Sequence, residues 1–179
     1  MIYLLLCYAV ILSNTAFASC YKTPNYSMDT PQGYWKTIDD KTGQTKGIVH
    51  IFKTTQGTLA GRVIGGIKSN NDPRCKRCDA KTFDPKTGFG LKKNDEPIGK
   101  VFMWGYRKNK QRYTNGYIVD NTQGYKYRSS IALVEGGNKL DVTGTYLFFY
   151  RTQYWERIKE RQLHQLCKSK QAVCIELCK

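Results

Sequence analysis

"GYKYRSSIALV", residues 124–134, alternates: its odd positions carry Tyr125, Tyr127, Ile131 and Leu133, its even ones Lys126, Arg128 and Ser130. Successive side chains of a β-strand point to opposite faces, so the segment reads as a strand with one apolar and one polar face. The next segment, "NKLDVTGTY" at 138–146, repeats the pattern, with Leu140, Val142 and Tyr146 opposing Lys139, Asp141 and Thr143. Outward from this pair, turn chemistry ("DDKTG", "TTQG", "KNK", "DNTQG", "EGGN") separates runs rich in Val, Ile, Thr, Tyr and Phe. Strands are expected at 33–38, 46–54, 57–67, 98–108, 111–119, 123–134, 138–149 and 151–158. Most links are too short for a crossover helix, so neighbours must pair antiparallel. The fold class is all-β: a meander of eight half-apolar strands closes most simply into an up-and-down barrel, with a two-sheet sandwich as the alternative. Closure also removes exposed edges.

Two regions break the rhythm. Residues 68–97 are polar and turn-rich with no convincing strand, and a loop longer than about 12–15 residues is usually functional or disordered. After Arg157, Leu163, Leu166, Cys167, Val173, Cys174, Leu177 and Cys178 recur at helical spacing, which predicts an amphipathic helix over 158–179 packed on the barrel.

The first eighteen residues, "MIYLLLCYAVILSNTAFA", hold no charged side chain, and their apolar run is shorter than the roughly 20 residues a membrane span needs. Ala16-Phe17-Ala18 fits a signal-peptidase site. The expected organisation is a signal peptide at 1–18, a barrel domain at 19–157 and the helix at 158–179, in a secreted or periplasmic protein. A lipid anchor on Cys20 is the alternative. Without Cys7 the chain keeps an even set of cysteines, Cys20, Cys75, Cys78, Cys167, Cys174 and Cys178, which in an exported protein reads as disulfides of open pairing.

Lys and Arg number 29 against 14 Asp and Glu, a net charge of +15. Such a field draws anionic partners, but the cations are scattered rather than blocked, which argues against a nucleic-acid groove. An acidic protein or surface is one candidate partner.

A Gly-x-Trp at the start of the first strand (Gly33, Trp35) and an arginine just past the last (Arg157, in "RTQYWERI") resemble the lipocalin pattern. That resemblance implies barrel closure, with Trp35 plugging one end and Arg157 lying across its ring, a cation–π contact. "GYWKTIDDKTGQTKGIVHIF", "DPRCKRC", "PIGKVFMWGYRK", "GYIVDNTQGYKY" and "LDVTGTYLFFYRTQYWER" in order are similar to an uncharacterised family of small exported bacterial proteins, a domain of unknown function with a lipocalin-like shape. The likeness covers roughly 31–157 and implies fold and export rather than an activity. The cysteine-bearing tail departs from it.

"CKRC", Cys75 to Cys78, has the spacing of a local disulfide, a redox pair or half a zinc site; its loop setting and the lack of a second such motif favour the disulfide. His50 shares parity with Ile48 and Phe52 and reads as a wall residue, His164 as a surface residue of the tail. No Ser-His-Asp or paired-carboxylate arrangement stands out, so a binding protein without cofactor or metal is expected. The candidate ligand-binding rings are Phe102, Trp104, Tyr113, Tyr117, Tyr125, Tyr127 and Phe148; on the opposite parity Val101 and Met103 would line the cavity instead. Buried tyrosine hydroxyls need partners, which a cavity with water or an amphipathic ligand supplies. Arg107, Lys108, Lys110 and Arg112, around a hairpin turn, are candidate rim cations for a fatty-acid-like head group. A monomer is expected.

Overall fold

The computed structural model describes residues 25–39, 42–67, 72–168 and 172–174. Its strands are β1 (Gly33–Ile38), β2 (Thr45–Lys53), β3 (Leu59–Ile67), β4 (Phe83–Asp84), β5 (Phe89–Gly90), β6 (Val101–Asn109), β7 (Arg112–Asp120), β8 (Tyr125–Val134), β9 (Lys139–Tyr146), β10 (Phe149–Ile158) and β11 (Ala172–Cys174), with one helix, α1 (Glu160–Lys168), before the last. Strands β1, β2, β3, β6, β7, β8, β9 and β10 pair antiparallel in that order. The ring closes where β10 pairs with β1, Trp35 opposite Arg157. An unbroken ring is a barrel, not a sandwich.

Strand direction sorts the connections into two ends. The start of β1, the turns 54–58, 110–111 and 135–138, and the end of β10 lie at one end, the floor. Loop 39–44, the long connection 68–100, and the turns 121–124 and 147–148 lie at the other, the mouth. The interior is packed from the floor upward by Trp35, Val49, Ile51, Leu59, Met103, Tyr106, Ile131, Leu140, Val142 and Trp155.

The outer face is not uniformly polar. Ala60, Cys75, Cys78, Leu91, Trp104 and Val119 form a second buried cluster, joined by the partly buried Phe52, Phe89, Val101 and Tyr117. The long connection makes this cluster by folding over the barrel wall as a strap. Within it, Asp79 caps a short 3-10 turn, Ala80–Thr82, and β4 pairs with β5. The Thr82 hydroxyl donates to the Leu91 carbonyl at 2.8 Å, tying the two arms. The strap also grips the mouth turn 121–124, where Asn121 Nδ2 donates to the Pro73 carbonyl at 3.2 Å. Residues 68–97 therefore hold two short strands that their polar composition does not suggest.

The tail also departs from expectation. Helix α1 packs Leu163, fully buried, against Tyr34, Ile48, Ile64 and Ile158 on the barrel's outer wall. It ends at Lys168, and the chain then adds β11 to β3, Ala172 opposite Ile67 and Cys174 opposite Gly65. A helix through to 179 would leave that stretch of β3 exposed: β6 last meets β3 at Arg62–Val101, so the backbone groups near Gly65 need another strand.

Candidate ligand-binding site

The floor answers why a glycine stands two residues before Trp35. Gly33 has φ of +130°, a conformation side chains rarely adopt, and a Cβ there would lie 3.0 Å from Arg157 Nη1. The bend lets the chain enter β1 directly beneath that guanidinium. Trp35 is completely buried and its Nε1 donates to the Pro31 carbonyl at 2.9 Å. Above its ring, 4.2 Å from the centroid, sits the guanidinium carbon of Arg157. Arg157 donates through Nε to Gly137 O at 2.7 Å, through Nη1 to Gln32 O at 3.0 Å and through Nη2 to Thr30 O at 2.7 Å. One side chain thus fastens the segment before β1 to the 135–138 turn. Burial lowers the Arg157 pKa, but a guanidinium remains charged at any physiological pH.

Above the floor the interior changes character. Trp155 is 2% exposed, packed against Leu140 and Val142, with Phe102 stacked at 6.3 Å. Its indole Nε1 is buried without a hydrogen-bond partner among the described residues. Leaving a buried donor unpaired costs about 1–3 kcal/mol. Towards the mouth, residues that share the inner face by register are only half-buried: Val63 opposite Val49, Ile118 opposite Met103, Tyr127 opposite Ile118, and Gln153 opposite Val142. Arg151, opposite Gly144 on the same face, is exposed. Inner-face residues are thus fully buried towards the floor and half-buried towards the mouth.

The seven candidate rings do not form one patch. Phe102 and Tyr113 lie against the interior core. Trp104 and Tyr117 lie outside, 5.8 Å apart, in the cluster beneath the strap, and the Lys126 ammonium sits 5.3 Å over the Tyr117 ring. Tyr127 is half-buried, and Tyr125, edge-on to it at 6.3 Å, is 54% exposed. Phe148 is 96% exposed at the β9–β10 turn and lines nothing. Two irregularities cause the split. The β3–β6 register shifts between Gly61–Met103 and Arg62–Val101, around Phe102. Further along, Gly105 and Asn115 both have positive φ, with no residues pairing between Trp104–Tyr117 and Arg107–Thr114. Strict alternation from Trp104 to Tyr106 fails there, so Trp104 faces out while Tyr106 enters the core. Met103, the other parity, is inside.

Arg107, Lys108, Lys110 and Arg112 surround the 110–111 turn at the floor end, so they rim the sealed end and not the mouth. Arg112 Nη2 reaches Asp141 Oδ1 and Ser130 Oγ, both at 3.1 Å, on the outer wall. Trp155 and Gln153, which the sequence reading did not place in the site, share the parity of Arg157 in "RTQYWERI"; that shared parity was the available signal.

Cys75 and Cys78 form a disulfide, Cα–Cα 5.4 Å, at the root of the strap. Cys20 and Cys178 lie outside the described residues, as does the segment 1–18, and so do the side chains of Cys167, Cys174 and His164. His50 Nε2 meets the Tyr26 hydroxyl at 2.8 Å and its ring stacks on Tyr34 at 4.6 Å, on the outer wall. Among the described residues no His, Cys, Asp and Glu cluster could hold a metal ion. No helix among them is long and apolar enough to cross a membrane.

Eight antiparallel strands in a closed ring, with an indole under a guanidinium at one end, define a lipocalin-like barrel. It is similar to the structure of HP1028 from Helicobacter pylori, described as belonging to the lipocalin family, with a TM-score of 0.58 and 19% identity over 75% of this chain and 86% of that one. By family, the chain belongs to the proteins described as "Uncharacterized protein conserved in bacteria" (DUF2147), whose model matches residues 33–157. No curated protein matches the chain.

Proposed function

We propose that this protein is an exported carrier whose lumen holds a small amphipathic molecule, apolar body inward and hydrogen-bond-accepting group within reach of Trp155. The observation that carries the reading is the Trp155 indole N–H: a donor buried in the barrel, without a partner among the described residues, below inner-face residues that are only half-buried. A carboxylate or carbonyl oxygen entering from the mouth would satisfy it, and Arg151 supplies positive charge at the entrance. A fatty acid combines both features. Isothermal titration with palmitate tests this. Saturable one-to-one binding is expected, weakened about tenfold in Trp155→Phe by loss of a hydrogen bond to a charged group. No binding, and no lipid extracted from protein purified from its own host, would contradict it.

Export is part of the proposal and is supported by the apolar, uncharged leader ending in Ala16-Phe17-Ala18. N-terminal sequencing should find Ser19 first; a lipidated Cys20 would show anchoring instead.

The exposed cations Arg107, Lys108 and Lys110 at the floor favour a second reading, a surface that docks an acidic partner. Salt separates the two, since such docking weakens steeply between low and physiological ionic strength while lumen binding hardly changes.

A further inference from the structure

At the mouth, the β9–β10 hairpin ends in Leu147, Phe148, Phe149 and Tyr150, which are 75%, 96%, 78% and 78% exposed. Four consecutive large apolar residues in water are costly, and none of the four belongs to a core cluster of the described residues. The hairpin stands clear of its neighbours: β8 first pairs with β9 at Arg128–Thr145, and β1 pairs with β10 only over residues 156–158. A folding signal does not explain the composition either. Two-residue hairpin turns favour Asn-Gly or Gly-x because they need positive φ, yet here Leu147 takes φ of +53°. A bulky side chain in that region is disfavoured, so the turn gives up local stability to present leucine and phenylalanine at its tip.

We infer that this tip inserts into the interface of an anionic lipid bilayer. Its surroundings specify that occupant. Arg151, exposed, stands on the hairpin itself just behind the apolar tip. On the adjacent strand β8 the exposed Arg128, opposite Thr145, and Lys126 carry their charges over the Tyr117 ring at the same mouth end, and the whole chain carries +15. Tyr150 and, on the neighbouring hairpin, Tyr125 offer the amphipathic rings that settle at head-group depth. A narrow, convex wedge with cations behind it suits a fluid interface, which needs no complementary groove. Shallow insertion of apolar side chains combined with attraction to anionic head groups is sufficient for reversible peripheral binding. Because the tip projects from the mouth end, insertion would hold the lumen opening towards the membrane.

Flotation of the full mature chain with vesicles of phosphatidylcholine containing phosphatidylglycerol tests the inference. Wild type should float, less at high salt and less with pure phosphatidylcholine. F148S/F149S, which alters only exposed side chains and should keep the wild-type melting curve, should bind at least about tenfold more weakly. In F148W, tryptophan emission should shift to the blue on adding vesicles. The inference is overturned if wild type does not float, if the double variant floats equally well, or if sedimentation shows a dimer that F148S/F149S disperses, which would make a second copy the occupant. It stands apart from the carrier reading: a Trp155→Phe protein that loses palmitate but still floats would uphold the membrane contact and separate the two.

Discussion

The two ends of this barrel are built to opposite purposes. At the floor, Trp35 is buried, its N–H is bonded, and Arg157 covers its ring while donating to three backbone carbonyls. At the mouth, inner-face residues are half-buried, Trp155 below them has an N–H with no partner among the described residues, and the β9–β10 tip exposes leucine and aromatic rings. Satisfied polar groups and dense packing stabilise; unsatisfied and exposed ones await something else. Stability should therefore concentrate at the floor and binding at the mouth.

Substitutions can break that contrast. The largest loss is expected for Trp35→Ala, about 3–5 kcal/mol in urea unfolding, because it removes the floor's central side chain. Arg157→Met should follow at roughly 2–4 kcal/mol, since Thr30, Gln32 and Gly137 each lose a charged donor. A loss below about 1 kcal/mol in either variant would deny the floor its structural role. Cys75→Ser with Cys78→Ser should cost about 2 kcal/mol, the value for so short a closed loop, and should loosen the strap over Trp104 and the 121–124 turn. Proteolysis should then cut within 72–97 first.

Tyr106→Phe sharpens the comparison through pH. Burial pushes the Tyr106 phenol far above its ordinary value of 10.0. The unfolded chain releases this proton above about pH 10 while the folded chain retains it, so the unfolded state binds fewer protons there. This contribution to stability is intact below pH 10 and declines as pH rises beyond it. The variant should lose about 1 kcal/mol at neutral pH, where the hydroxyl donates to the Tyr117 carbonyl, and show a flatter decline above pH 10. Equal slopes in the two proteins would contradict it. The smallest effect belongs to the mouth: Phe148→Ser should change stability by less than about 0.5 kcal/mol, as a surface substitution.

The parts of the fold that depend on local pattern were legible. Alternation in residues 124–134 and 138–146 and the turn chemistry between strands placed all eight barrel strands to within a few residues. What depended on distant contacts was not. Trp104 and Tyr106 look equivalent in the sequence, and only the paired kink at Gly105 and Asn115, on two strands, sends one outward and the other in. Cover for Trp104 comes from Cys75, Cys78 and Leu91, well before it in the chain, so burial on the outer wall left no local trace. The turn at 147–148 was hidden because Leu and Phe occupy positions where Gly or Asn would announce a turn. Likewise β11 answers a gap in β3's pairing that exists only once β6 has diverged.

The three tryptophans occupy three environments: Trp35 on the floor, Trp104 under the strap, Trp155 in the lumen. Titrating nitrogen-15-labelled protein with palmitate while following the indole N–H resonances, assigned by single Trp→Phe variants, reads each one separately. The Trp155 signal should move downfield and saturate as its N–H gains an acceptor, while the Trp35 signal, already bonded to Pro31, stays in place. Movement of Trp35 with Trp155 fixed, or no movement of any indole at saturating palmitate, would contradict a barrel sealed at Trp35 and open above Trp155.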